Sequence, residues 1–254
     1  MKVASAPDDR SFWIGWQESW DRQQERFLPD REERFSVLLE LIGALAGAGA
    51  PRVLDLACGC GSITARVLRR FPSAQVVAAD LDPVLLRIAK GVFEGDDRVT
   101  LAEIDLRRPD WTGSLPPGEY QAVVSATALH WLQPGTLATV YADLAELVGR
   151  GGLVANADHM PLREAPGLEL AAAALSLPSG GGGEDWEEWW ARVARTRAFD
   201  ELLAERSRRF SGELHPSQPA QPAEWHLAQL AAAGFSESAV VWRRGPDAVV
   251  AALR

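Results

Sequence analysis

The sequence predicts an α/β fold: a mostly parallel sheet covered by helices on both faces and finished by an antiparallel hairpin. Three observations carry this. From Arg52 to Ala157, short apolar runs alternate with amphipathic stretches, the pattern of βαβ units whose strands are buried on both sides. One run, VLDLACGCGSIT (Val53 to Thr64), ends in an acid and breaks into a glycine-bearing turn that opens a helix. The last two runs, FSESAVVW and AVVAAL, are separated only by a turn at Arg244 to Asp247. Strands joined so closely pair antiparallel, because a parallel pair needs a long crossover.

Up to about Asp9 the chain is small, polar and expected to be mobile. Trp13, Trp16 and Trp20 then recur at helical spacing, and Phe27 closes that series before Pro29-Asp30. A second helix is predicted from Arg31 to Leu45, with Phe35, Leu38, Leu39 and Ile42 on one face and Gly47 to Pro51 ending it. The alternating region reads VLDLA, helix Ile63 to Phe71, QVVAAD, helix Val84 to Phe93, VTLAEI, QAVVS, helix Thr136 to Val148 and GLVANA. After Ala157 the alternation stops. A glycine run, Gly180 to Gly183, precedes a helix with Trp186, Trp189, Trp190 and Val193 at i, i+3, i+4 and i+7, followed by one carrying Phe199, Leu202 and Leu203. HPSQPAQP reads as a loop, and the last helix, Ala223 to Ala233, ends at Gly234.

Composition bounds the function. With 254 residues and 47% apolar content, one sizeable core is expected. A net charge of -9 disfavours a polyanionic partner, so no nucleic acid is expected. No apolar run approaches membrane-spanning length, and MKVASAPDDR lacks a signal-peptide core, so a cytoplasmic protein without a membrane partner is expected. The two cysteines, Cys58 and Cys60, suit neither a disulfide framework nor a zinc site, and no metal is expected.

The glycine turn indicates the type of ligand. Such a turn ordinarily aims N–H groups at a phosphate, but Asp55 at its mouth would repel one. The dinucleotide spacing also fails, because Thr64 stands where a third glycine belongs. The turn therefore suits a cationic ligand. It resembles the first motif of the class I methyltransferases, D/E-x-G-x-G-x-G, with Ala57 in place of the first glycine. That resemblance implies a Rossmann-like, seven-stranded sheet and S-adenosylmethionine as cofactor. It sets Asp55, Ala57, Gly59 and Gly61 around the cofactor's methionine end. An acid about 20 residues on then meets the ribose hydroxyls. Asp80, followed by Leu81, is favoured for this, with Asp82 the competitor but better read as a helix N-cap ahead of Pro83. Asp105 and Leu106, after the third strand, are placed at the adenine. Three carboxylates and no basic residue then frame the cleft.

The fourth strand runs into Ser125-Ala126-Thr127-Ala128, where methyltransferases of base amines carry Asn/Asp-Pro-Pro-aromatic. Ser125 is placed on the cofactor side. A-L-H-W-L resembles the small-molecule branch grouped with trans-aconitate methyltransferase. His130 is a candidate general base there, or packs behind the cofactor with Trp131. His159, after Asn156 and Asp158, is a second candidate, or joins local turn contacts. Trp16, Trp20, Trp186, Trp189 and Trp190 are candidates to line a substrate chamber for an apolar or aromatic metabolite, against the alternative that they are core.

The expected organisation is a helical lid (1–50), a cofactor-binding core (51–157), a helical insertion (158–222) and a last helix with the hairpin (223–254). The expected activity is methyl transfer to a small molecule by a monomer or homodimer. A cyclase or decarboxylase that binds the same cofactor, and a protein methyltransferase or binding module, stay open as alternatives.

Overall fold

The structure is a computed structural model that describes residues 9–28, 30–45, 49–174, 184–210 and 220–254. The expected mobile start, Pro29, Gly47, the glycine run and most of HPSQPAQP lie outside the described residues.

Two helices, α1 (Arg10–Phe27) and α2 (Arg31–Leu45), precede the alternating core. The core comprises β1 (Arg52–Leu56), α3 (Ser62–Arg70), β2 (Gln75–Asp80), α4 (Pro83–Val92), β3 (Val99–Glu103), β4 (Tyr120–Ala126), α5 (Pro134–Leu147) and β5 (Val148–His159). The inserted segment holds α6 (Pro166–Ala173), which the sequence reading did not anticipate, then α7 (Trp186–Ala194) and α8 (Asp200–Arg209). It is followed by α9 (Ala223–Ala232), β6 (Glu237–Arg244) and β7 (Asp247–Leu253). No described helix is long and apolar enough to cross a membrane.

One seven-stranded sheet has the order β3-β2-β1-β4-β5-β7-β6. The first five strands are mutually parallel, and β7 runs antiparallel to both its neighbours. Alternate residues of each strand serve opposite layers. Val53, Val124, Ala155 and Val249 pack in the layer that includes α1 to α4 and α7, whereas Leu54, Val123, Val154 and Val250 pack in the layer of α5 and α9. Both layers are closed, which is why the strands read as continuous apolar runs.

The first helix, α1, closes over the turn after β1. Gln17 donates from Nε2 to the Cys60 carbonyl at 2.6 Å, and Ser62 donates from Oγ to Asp21 at 2.5 Å. Trp13 lies so close to α4 that a Cβ built on Gly91 would fall 2.0 Å from its Cγ, so only glycine admits this approach.

Candidate active site

The strand order reverses between β1 and β4, and a parallel sheet holds ligands outside the carboxyl ends of its strands at such a point. Asp55 lies on β1 one residue before its end, Asp80 ends β2, and Ser125 lies on β4 one residue before its end. The sequence-predicted residues thus converge on one edge. Backbone strain gathers there too: among the described residues, the non-glycine residues with left-handed backbone are Ala57 (φ 57°), just past β1, and Thr127 (φ 53°), just past β4. A left-handed non-glycine residue costs about 1–2 kcal/mol and points to a functional constraint.

Asp55 is fully buried. Its Oδ2 accepts the backbone N–H of Thr64 at 2.9 Å and the Thr64 hydroxyl at 2.6 Å, while Oδ1 is buried with no hydrogen-bond partner. Thr64, which spoils the dinucleotide spacing, is therefore the residue that anchors the acid. Burial pushes the Asp55 carboxyl up to about 7 against the pull of the Thr64 bonds. In the turn, Gly59 (φ 57°) and Gly61 (φ 78°) are left-handed, and a Cβ on Gly61 would meet the Phe93 ring at 2.5 Å. Cys58 and Cys60 are free, buried thiols, pushed well above the usual range by burial first and by nearby carboxylates second.

Asp80 accepts the Gly59 N–H on Oδ2 at 2.7 Å and the Asp82 N–H on Oδ1 at 2.8 Å. Burial pushes it up to about 6. Asp82 caps α4 through the N–H groups of Val84 and Leu85, as expected of the competitor. The expectation of a cleft framed without basic residues needs correcting. Arg206 of α8 donates to Asp82 Oδ2 at 2.5 Å, and Arg209 donates to the Leu81 carbonyl at 2.9 Å and pairs with Glu103 at 2.7 Å. Arg107 spans both oxygens of Asp105 at 2.8 and 2.7 Å, which holds that carboxyl below its usual range, and Leu106 packs alongside the α5 layer. The insertion thus grips the edge at β2 and β3 with cations supplied more than a hundred residues away in sequence.

The two histidines part company. Asp158 is a strand residue of β5, 1% exposed, and not a loop residue. Its Oδ1 lies 2.6 Å from His130 Nδ1 and accepts the His159 N–H at 2.9 Å, while Oδ2 accepts the His130 N–H at 3.0 Å. Burial works against the charged imidazole, but the Asp158 carboxylate outweighs it and His130 sits above its ordinary value. Asp158 is correspondingly held low, burial being overcome by His130 and the backbone donors. His159, next along the strand, faces Asp247 at 3.3 Å and is half exposed. Asp247 in turn pairs with buried Arg34 at 2.8 Å.

Ser125 of β4 and Asn156 of β5 are adjacent in register and almost fully buried, and Ser125 Oγ and Asn156 Oδ1 have no hydrogen-bond partner. Asn156 Nδ2 reaches the Tyr141 hydroxyl at 3.5 Å, which lies 2.7 Å from His226 Nδ1. Burial lowers His226 to about 4, so it is neutral at physiological pH.

The tryptophans need a second correction. Trp189 is fully buried and Trp16 5% exposed, and they pack edge to face at 5.5 Å, with Phe199 5.0 Å from Trp16. Trp189 Nε1 donates to Ser19 Oγ at 3.0 Å. Both pack in the hydrophobic core that joins α1 to α7. Trp20 is half-buried against Trp186 and Trp189, and Trp190 lies under the Arg206 guanidinium at 3.9 Å. Trp186 (41%) and Trp131 (43%) are the exposed tryptophans among the described residues, and Trp131 lies 5.1 Å from the His130 ring.

Residues 53–152 match the family model described as a methyltransferase domain. A trans-aconitate 2-methyltransferase from Azoarcus sp. is 29% identical over 171 residues, covering 63% of each chain. Among solved structures, an O-methyltransferase family protein from Burkholderia thailandensis superposes with a TM-score of 0.60 at 21% identity, covering 88% of this chain and 55% of that one. Human N-acetylserotonin methyltransferase in complex with S-adenosylmethionine gives 0.55 at 14%, covering 96% and 55%. The structural likenesses show the fold. The chain spans less than two thirds of the length of these relatives.

Proposed function

We propose that this chain, whose core is a class I S-adenosylmethionine-dependent methyltransferase domain, transfers a methyl group to a small organic molecule. The observation that carries the reading is the edge at Asp55: a buried carboxylate oxygen without a partner, beside a turn with three left-handed residues whose Gly59 N–H donates to the acid ending β2. Those groups fit a ligand that is cationic at one end and carries a vicinal diol. When bound, S-adenosylmethionine supplies an electrophilic methyl group on a cationic sulfur.

The chain's own residues then have separate tasks. Ala57, Gly59 and Gly61 let backbone approach closely, and Asp55 sets a negative field at the mouth of the turn. Asp80 accepts backbone N–H groups from Gly59, Asp82 and Leu81, and a carboxylate with about four lone-pair sites keeps capacity for a ribose hydroxyl. Leu81, Asp105 and Leu106 bound the adenine side, and buried Ser125 lies on the adjoining strand. The seven strands with α3, α4, α5 and α9 form the core, β5 running on to His159 past the expected boundary at Ala157, and α1, α2, α7 and α8 form the lid over it. The lid holds the acceptor in line with the methyl group and excludes water, using freedom already lost on binding. An apolar or aromatic acceptor is supported by the exposed Trp131 and Trp186 faces. The name of the Azoarcus relative favours a second reading, a polycarboxylic acid acceptor.

Calorimetry with S-adenosylmethionine, followed by assay of S-adenosylhomocysteine against an acceptor panel, tests the proposal. Binding with methylated product is expected. No binding at millimolar cofactor would overturn it, and turnover without S-adenosylhomocysteine would move the chain to the cyclase or decarboxylase reading.

A further inference from the structure

Resting on that reading, we propose that His130 and Asp158 form a base dyad, and that the acceptor group is therefore a phenolic or enolic hydroxyl, not a carboxylate. The geometry is that of a positioned base. Asp158 is buried and receives two backbone N–H groups, from His130 and His159, which fix its plane. Its Oδ1, 2.6 Å from Nδ1, fixes that nitrogen as the protonated one and leaves Nε2 as the acceptor. The His130 side chain is 27% exposed while Asp158 is 1% exposed, so only the ring can reach a ligand.

The charged groups around the ring are few. Asp158 from β5 dominates, Asp247 from β7 acts in the same direction, and neutral His226 from α9 lies behind Asp158. The charged groups that raise His130 are both carboxylates, Asp158 and Asp247. A carboxylate acceptor is already ionised at neutral pH and has no proton to give, so an anchored base would do nothing for it. A hydroxyl bound to an unsaturated carbon does need that proton removed, and an imidazole takes it with modest driving force. The Trp131 ring beside His130 offers a flat wall for such a group.

In the step, the acceptor oxygen forms the new O–CH3 bond as the S–CH3 bond of S-adenosylmethionine breaks. The O–H proton passes to His130 Nε2, and the S–C electron pair stays on sulfur, giving neutral S-adenosylhomocysteine. Asp158 keeps its charge throughout and acts as a positioning residue.

The test uses the full chain with substituted phenols of graded acidity, trans-aconitate as the carboxylate control, and His130→Asn and Asp158→Asn variants. For weakly acidic phenols, His130→Asn is expected to lower kcat about 100-fold or more, and the loss should shrink as the phenol becomes acidic enough to ionise unaided. NMR titration of the chain's four histidines gives a readout independent of turnover: Asp158→Asn should lower the His130 pKa and move the acid limb of kcat/KM to lower pH with it. An unmoved His130 titration, or methylation of trans-aconitate alone at a rate indifferent to His130→Asn, would overturn the dyad while leaving methyl transfer intact. Failure of S-adenosylmethionine to bind would overturn both.

Discussion

Gly59 donates its backbone N–H to Oδ2 of Asp80 at 2.7 Å, which makes the turn after β1 and the acid ending β2 one hydrogen-bonded unit. Asp80 thus shapes the turn before any ligand arrives, and a change there removes part of the cradle together with the proposed ligand contact. Hydrogen bonds to charged groups contribute about 1.5–3 kcal/mol each. Asp80→Ala is expected to weaken S-adenosylmethionine binding by at least about 100-fold. Unchanged affinity by calorimetry would refute the assignment.

Asp55 and Asp80 give the stability of the cofactor-free protein a pH dependence opposite to that of most carboxylates. Burial raises them to about 7 and about 6, whereas free aspartate titrates near ~3.9. Between those values the folded chain holds protons that the unfolded chain has released, so stability falls as pH rises from about 4 to about 7. Unfolding free energies from denaturant titration should decline across that window by an amount on the order of a few kcal/mol, and Asp55→Asn should flatten the slope. A cationic ligand favours the ionised forms. S-adenosylmethionine should therefore bind more tightly as pH rises and release protons on binding, seen as a buffer-dependent heat; a heat independent of the buffer would contradict this.

Trp189→Ala is expected to destabilise the fold by about 3–5 kcal/mol, the range for emptying a buried aromatic site. Below its unfolding temperature the variant should keep its affinities for cofactor and acceptor. A selective rise in acceptor KM with unaltered thermal stability would instead return Trp189 to the substrate chamber.

The strands and the convergence of Asp55, Asp80 and Ser125 on one sheet edge are legible because their signals are local. Burial on both faces makes a strand a continuous apolar run, and Asp55 and Asp80 stand beside the turns they serve. What escaped notice was set by distant pairing. Asp158 meets His130 across 28 residues because β4 and β5 lie in register, and no spacing rule reports that. Arg206 and Arg209 reach the loop after β2 across more than a hundred residues, so a cleft that read as purely acidic is gripped by guanidinium groups. The tryptophan spacing correctly marked which face of each helix is covered. It carried no information on what does the covering, and Trp16 and Trp189 cover one another.

The chain's two cysteines, Cys58 and Cys60, both sit in the turn beside Asp55, buried and held as neutral thiols. A folded molecule is then inert to alkylating reagents, because only an exposed thiolate reacts. Covalent labelling becomes a stopwatch for one event, the parting of this turn from its neighbours, timed without any acceptor or any turnover. A molecule seated on the closed turn slows that clock in proportion to how tightly it is held, so the protein carries its own built-in gauge of occupancy.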